Sequence, residues 1–348
     1  MKKIMLTGCG GSASVNFLDS LRMTQEKIHV VGIDINKYFI ELSAADKKYL
    51  VPTCNSKDYI DKVNEIIRKE KIEFVHPQPD PEVKVISDNR DRIEARTMLP
   101  GKATIDLCMD KMKLNKELEK SGVPVPLSIQ LRTKSDAAGA IEKALERFGG
   151  KVWIRAIRGA GSKAALPVKA PHVAEAWIDF WEWNEHLKPS DFMIAEYLPG
   201  KEFAFQSLWK DGELITSQAR QRVAYVFGSM RPSGQSSSPS IAVTVNRDDV
   251  NEICTKAVQS IDKEATGIFC VDMKENASGV PCVTEINAGR FFTTSKFFSQ
   301  AGSNMPYYFI KMAYGEELPK LKKYNPIPEG LYWVRLIDCG QTLMKEPA

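Results

Sequence analysis

Through the first hundred residues, apolar positions come in short continuous runs separated by stretches of helical period. Lys3–Thr7 reads as a strand, followed by Gly8-Cys9-Gly10-Gly11-Ser12-Ala13 and a helical pattern to about Met23. Ile28–Ile33 is a second run, ending at Asp34. Ser56 opens a helix to about Lys69, and Glu73–His76 is a third run. Continuous apolar strands without alternation are those of a parallel sheet covered on both faces. The pattern therefore predicts a βαβ-type domain, ending near Pro100-Gly101, where the alternation stops.

Beyond that point the period changes. Asp106–Lys120 is predicted as one helix, stopped by Gly122 with Pro124 and Pro126 beyond it. A second helix is expected over about Ser135–Phe148. Val152–Val168 reads as strand, glycine-containing loop and strand, followed by a helix whose Trp177, Phe180, Trp181 and Trp183 are expected to pack on a small sheet. Strands are expected at Phe192–Leu198, Glu202–Trp209 and Leu214–Ser217, the last two joined at Asp211-Gly212. A Ser/Pro/Gly-rich loop spans 228–240, and Asp248 to about Glu264 is the last long helix. Two apolar, β-branched runs, Gly267–Met273 and Val280–Ile286, flank Asn276-Ala277-Ser278-Gly279 and read as a hairpin. One further strand is expected within Gly330–Asp338.

Composition narrows the functional classes. With 43% hydrophobic and 26% charged residues the chain is an ordinary globular sequence, and its 348 residues suit two or three subdomains. A net charge of +4 carries no general nucleic-acid signal. No apolar run approaches the ~18–20 residues of a membrane helix, and Ile4-Met5-Leu6 before Cys9 is too short for a signal-peptide core. Seven cysteines without a C-x-x-C pair, and four histidines without ligand spacing, point to reduced thiols in the cytoplasm and away from a zinc centre.

The chemistry concentrates at the hairpin. A turn on Ser278-Gly279 sets Asp272 opposite Glu285, and Asn287 shares the Glu285 face because strand side chains alternate. Two carboxylates, an amide oxygen and Arg290 just beyond form a hard-oxygen set suited to Mg²⁺; the alternative is a plain hairpin with acids facing solvent. Residues 8–13 with Asp34 satisfy the dinucleotide fingerprint, which either cradles a phosphate or merely lets helix and strand pack closely. Asp80 and Glu82 fall at the expected C-terminal edge of the parallel sheet and are candidate substrate contacts. Arg155, Arg158 and Lys163 around Gly159 and Gly161 suit a loop closing on a polyphosphate, or a basic hairpin turn.

Taken in order, these pieces resemble the ATP-grasp superfamily over nearly the whole chain, in particular the halves of the carbamoyl phosphate synthetase large subunit and the carboxylate–amine ligases. The fold this implies is α/β: a Rossmann-like pre-ATP-grasp domain (1–103), then an ATP-grasp fold (104–318) of two α+β subdomains with antiparallel sheets clamping ATP. Its lid covers about 125–198, and 319–348 form a C-terminal extension. By the resemblance, Lys111 and Arg155 contact ATP phosphates, and Gly159, Gly161, Ser162 and Lys163 belong to the phosphate-covering loop, here poorer in glycine than in the richest members. Glu196, Tyr197 and Leu198 form the adenine hinge, and Glu202 holds the ribose. Asp272, Glu285 and Asn287 are the metal ligands, with Arg290, Arg155 and Arg222 catalytic. Gly10, Gly11, Ser12, Glu82, Arg220 and Arg231 are substrate candidates, and Lys296 adds to the positive charge there.

The implied cofactors are ATP and Mg²⁺, two ions with Mn²⁺ able to substitute. The implied reaction joins a small carboxylate or amino acid to an amine through an acylphosphate. A homodimer is the fold-level expectation, and neither nucleic acid nor membrane is an expected partner. The alternatives are an ATP-grasp kinase or carbamoyl phosphate synthetase-like phosphorylating enzyme and, further off, an NAD-binding dehydrogenase resting on residues 8–34.

Overall fold

The computed structural model describes residues 1–159, 161–236, 238–336 and 340–344. Four parallel strands, β1 (Lys3–Thr7), β2 (His29–Asp34), β3 (Lys47–Leu50) and β4 (Phe74–His76), lie in the order β3-β2-β1-β4. Ile4, Leu6 and Val30 face one core while Met5, Val31 and Ile33 face another, which explains the unbroken apolar runs. The edge strand β3, Lys-Lys-Tyr-Leu, is half-exposed and carries no apolar signal. Asp80 and Glu82, expected at the edge of the parallel sheet, begin a helix (Asp80–Asp88) with Pro81 in its first turn.

The predicted Asp106–Lys120 helix is two helices, Lys102–Cys108 and Lys111–Lys120. Asp110 interrupts them: its Oδ1 accepts the Lys113 backbone N–H at 3.0 Å, and an N-cap cannot also be helix interior. The break starts a fresh helix at Lys111.

A second, separate core belongs to the lid. Strands β5 (Ser128–Gln130), β6 (Val152–Ala156), β7 (Leu166–Val168) and β8 (Phe192–Glu196) form an antiparallel sheet ordered β5-β8-β6-β7, covered by helices Lys134–Arg147 and Pro171–Glu185. Trp177 and Trp181 pack on this core as expected, whereas Trp183 is 78% exposed and Phe180 half-exposed.

The third unit is a seven-stranded antiparallel sheet built from β9 (Glu202–Lys210), β10 (Glu213–Tyr225), β11 (Pro239–Thr244), β12 (Gly267–Glu275), β13 (Pro281–Ala288), β14 (Tyr332–Leu336) and β15 (Gly340–Met344). Its order is β13-β12-β9-β10-β11-β14-β15. Strand β10 runs through the segment read as Leu214–Ser217 plus a connection, and the C-terminal residues extend the sheet by a hairpin rather than one strand. Asp338 lies outside the described residues. Phe203, Phe205, Phe269 and Val271 bury one face against the helix Asp248–Ile261. Ala204, Leu208, Ile268 and Cys270 face the opposite way, where the N-terminal domain covers part of the sheet and leaves the remainder open as a cleft under the lid.

Candidate active site

The hairpin β12–β13 forms as its turn chemistry dictates. Asn276 Oδ1 accepts the N–H groups of Ser278 and Val280 at 3.0 Å each, and Gly279 takes φ +78°. Register then sets Asp272 against Glu285, with a bulge between Asp272 and Met273. Asn287 Nδ2 reaches Asp272 Oδ2 at 3.4 Å. The two carboxylates and the amide anticipated from spacing do converge, at the floor of an open cleft.

Each of these groups meets a base from another element. Arg155 of β6 donates to Glu285 at 3.0 Å, and Lys111 Nζ lies 3.8 Å from the same carboxylate while donating to Gly159 O at 2.8 Å. Arg222 of β10 donates to Asp272 at 2.5 Å. Arg290 donates to Asn287 Oδ1 at 2.5 Å and to Asp80 through Nε. Burial pushes the Asp272 carboxyl above its ordinary range, with Arg222 opposing and Glu285 adding to the rise. Burial also raises Glu285, but Lys111, Arg155 and Arg290 outweigh it and hold the group low. Lys111 is buried, and its ammonium is correspondingly lowered, with Glu285 compensating in part. Removing charge from water costs free energy unless it is paired, so the acids and bases here satisfy one another.

The donor set fits a magnesium ion. Its oxygens are hard, and one or two carboxylates plus substrate phosphates is the coordination Mg²⁺ favours. Among the described residues no group of three or more His, Cys, Asp and Glu offers a competing metal centre.

Toward the lid, the cleft becomes a slot between Trp153, Met193, Leu198 and Met273, with the Glu196-Tyr197-Leu198 segment along its edge. Glu202 sits at its side, held by Lys274 Nζ at 2.6 Å, Gln235 Nε2 at 2.5 Å and the Tyr225 hydroxyl. Burial raises this carboxyl, and Lys274 more than reverses the shift. Gly161 and Ser162 line the cleft from above, and Arg231 donates to Gly161 O at 3.3 Å. Ala160, inside the same loop, lies outside the described residues. Lys163 turns away from the cleft and pairs with Glu185 at 2.6 Å.

Several substrate candidates do not line this cleft. Gly10, Gly11 and Ser12 stay within the N-terminal domain. Glu82 is buried beneath Gly8, and Lys296 pairs with Asp19 at 2.7 Å. Arg220 is 1% exposed behind Phe292. The dinucleotide fingerprint serves packing. Asp34 accepts the Gly10 and Asn36 N–H groups at 2.9 Å each, leaving its carboxylate engaged. A Cβ at Gly10 would sit 2.1 Å from Phe39 O, so a 3₁₀ turn (Phe39–Leu42) packs directly against the glycine loop.

Sequence reasoning missed Lys274, Tyr225, Gln235 and Phe292. Lys274 was available, since it lies two residues beyond Asp272 on a strand and shares its face. Nothing local marks Gln235, which reaches Glu202 only through the path of its loop.

With this geometry in place, comparison with known proteins gives a consistent class. Residues 4–99 match the model of the PylC-like N-terminal domain, and residues 188–331 match that of the ATP-grasp in the biosynthetic pathway with Ter operon. No curated protein matches the chain. Among solved structures it resembles an L-amino acid ligase from Bacillus licheniformis (TM-score 0.71, 13% identity, covering 96% of this chain and 79% of that one). It also resembles the biotin carboxylase domain of Hydrogenobacter thermophilus 2-oxoglutarate carboxylase, determined with MgADP and bicarbonate (0.72, 15%, 96% and 73%). A third is N5-carboxyaminoimidazole synthetase from Staphylococcus aureus (0.68, 15%, 96% and 82%). The chain therefore has the ATP-grasp fold, with residues 188–331 similar to an ATP-grasp family and residues 4–99 to a PylC-like N-terminal domain.

Proposed function

We propose that the protein is an ATP-dependent carboxylate–amine ligase, with the pre-ATP-grasp domain ending near residue 103 and the ATP-grasp domain near 318. The observation that carries this is the β12–β13 hairpin, whose opposed Asp272 and Glu285 are each ion-paired to a base from a different element. A site that balances charges in this way is ready to exchange partners: carboxylates to a divalent cation, guanidinium and ammonium groups to phosphates.

In this reading Asp272, Glu285 and Asn287 hold magnesium, which when bound neutralises charge on the phosphate oxygens. The slot beside Glu196-Tyr197-Leu198 takes the adenine, and Glu202 the ribose hydroxyls. Lys111 and Arg155 release Glu285 to face the phosphates, with Gly161 and Ser162 closing over them. A substrate carboxylate oxygen bonds to the γ-phosphorus as the bond to the β–γ bridging oxygen breaks, giving an acylphosphate and ADP. An amine then bonds to the acyl carbon, phosphate leaves with the C–O electron pair, and the amine sheds a proton. Positioning and charge stabilisation do most of the work in phosphoryl transfer, so no protein nucleophile is needed.

The test is hydroxamate formation with MgATP, hydroxylamine and a panel of amino acids and small carboxylates. Hydroxamate with equimolar ADP is the expected result. AMP would mean adenylation and overturn the reading, and ADP without hydroxamate would favour a kinase. Glu285→Ala should lower turnover by about 10²–10³-fold; full activity in that variant would remove the metal assignment.

A further inference from the structure

The open face of the seven-stranded sheet carries more positive charge than the ATP site uses. Register aligns Asp272 with Ala204, Ala204 with Arg220 and Arg220 with Thr244, so Arg220 shares the face of the metal acids across one small residue. Arg222 aligns with Ala242, and Ala242 with Trp333 of β14. Arg335, two residues beyond Trp333, faces the same way, and its guanidinium stacks 4.8 Å over that ring.

Asp80, Glu202, Asp272 and Glu285 are each met by a cation, while Glu196, at the far end of the cleft beside Tyr197, has no ion pair among the described residues. Arg220 and Arg335 are surplus: among the described residues neither has a carboxylate partner. Arg220 is the more pronounced case. It is fully buried, with Nε and Nη2 lacking any hydrogen-bond partner, between the rings of Phe292 (4.8 Å) and Phe298 (5.5 Å). Ring faces do not satisfy in-plane N–H groups, and a buried unpaired charge is among the costliest features a fold can keep. Burial, with Arg222 nearby and Asp272 opposing only in part, pushes the Arg220 guanidinium down to about 9, and burial takes Arg335 to about 10. The two side chains flank one dipeptide. Arg220 Nη1 donates to the Thr294 hydroxyl, and Arg335 Nη1 to Thr293 O at 3.3 Å. Thr293 and Phe292 line the cleft, and Arg220 lies directly against the Phe292 ring.

We infer that the acid substrate carries a second anionic group, received by Arg220 and Arg335 once the Phe292 ring turns aside, while the reacting carboxylate lies toward Arg290 and the metal ligands. A triphosphate with two divalent cations is neutral as a whole, so nucleotide binding does not supply the missing negative charge. Guanidinium groups are suited to planar, bidentate recognition of carboxylate or phosphoryl oxygens. The C-terminal hairpin β14–β15 thereby gains a role in specificity, since it brings Arg335 to the substrate end of the cleft. The inference rests on the ligase reading for the place of the reacting carboxylate.

The experiment is thermal-shift titration of the full chain, with a non-hydrolysable MgATP analogue present. Acids differing by one carboxylate are compared: succinate with butyrate, glutarate with pentanoate, aspartate with asparagine and glutamate with glutamine. At least one diacid should bind tenfold or more tightly than its partner. Arg335→Gln should lose most of that difference with nucleotide affinity unchanged, and Arg220→Lys, which keeps the buried charge, should lose part of it. Equal binding within every pair, or an Arg335→Gln variant that keeps the preference, overturns the inference. Hydroxamate assays on the same acids separate the two readings. Preferred diacid binding without acyl transfer would count against the ligase assignment and leave the anion site standing. Acyl transfer from a mono-acid with no diacid preference would do the reverse.

Discussion

Two glycine loops, Gly8–Gly11 and Gly159–Lys163, look alike on paper and behave in opposite ways. In the first, Asp34 ties the Gly10 N–H, and Phe39 O occupies the place a Cβ would take. Glycine is needed there because backbone lies against backbone. In the second, a Cβ at Gly161 would meet nothing within 4 Å, yet the loop holds left-handed backbone at Gly159, Gly161, Ser162 and Ala164. Glycine there supplies conformation, not room. Ser162 and Ala164 adopt the same region at a cost of roughly 1 kcal/mol each, held by contacts such as Lys111 to Gly159 O and Arg231 to Gly161 O. The contrast teaches that a glycine pattern marks unusual backbone and leaves the reason open: a closed joint in one place, left-handed backbone at the rim of the cleft in the other.

The largest expected effect comes from Gly10→Ala. The added methyl would meet Phe39 O at 2.1 Å and Phe39 C at 2.3 Å, backbone that cannot yield like a flexible side chain. Destabilisation of more than ~4 kcal/mol is expected, read as loss of soluble protein or a collapsed melting temperature. Wild-type stability in this variant would erase the distinction between the loops.

Next is a pH effect beneath the first loop. Glu82 is buried under Gly8 with Oε2 unpartnered, and burial, with Asp34 nearby, raises its carboxyl from 4.5 to about 7. A raised folded-state value favours the protonated acid, so the contribution is complete below about 4.5 and lost as pH climbs through 7. The interval corresponds to about 3 kcal/mol. Urea midpoints should therefore fall more between pH 5 and pH 8.5 in the wild type than in Glu82→Gln. Equal pH dependence in the two proteins would show that the joint under the first loop carries no such acid.

The smallest effect on stability is expected from Gly161→Ala, within about 1 kcal/mol because there is space and only the left-handed φ is penalised. Its turnover should nevertheless fall about tenfold, since a misplaced phosphate cover misaligns the reacting groups. Unchanged turnover would deny the second loop its role. A lost fold would make the two loops alike.

Much of this molecule is legible in the order of its residues. The parallel strands declare themselves through continuous apolar runs, because both faces are buried. The Asp272–Glu285 pairing follows from a short turn and a period of two, which are local constraints. Glu196-Tyr197-Leu198 and Lys111 were singled out by resemblance to a family pattern; the three hinge candidates line the cleft, and Lys111 lies 3.8 Å from Glu285 on its floor. Local signals gave out where partners come from afar. Asp110 ended a helix that apolar period alone would continue. Glu82, polar and near a sheet edge, turned inward because the packing of Gly8 and Pro79 closes over it.

Sequence by itself determined most of the elements, the hairpin register and the hard-oxygen character of the Asp272, Glu285 and Asn287 set, since each depends on residues a few positions apart. Only the tertiary structure decided which glycine loop is open, and that Lys163 leaves the site while Lys274 and Gln235 enter it. It also decided that Arg220 and Arg335 stand without ion-paired acids among the described residues. Those outcomes depend on which charges meet across strands far apart in the chain, and pairing at that distance is set by the path of the backbone, not by residue type.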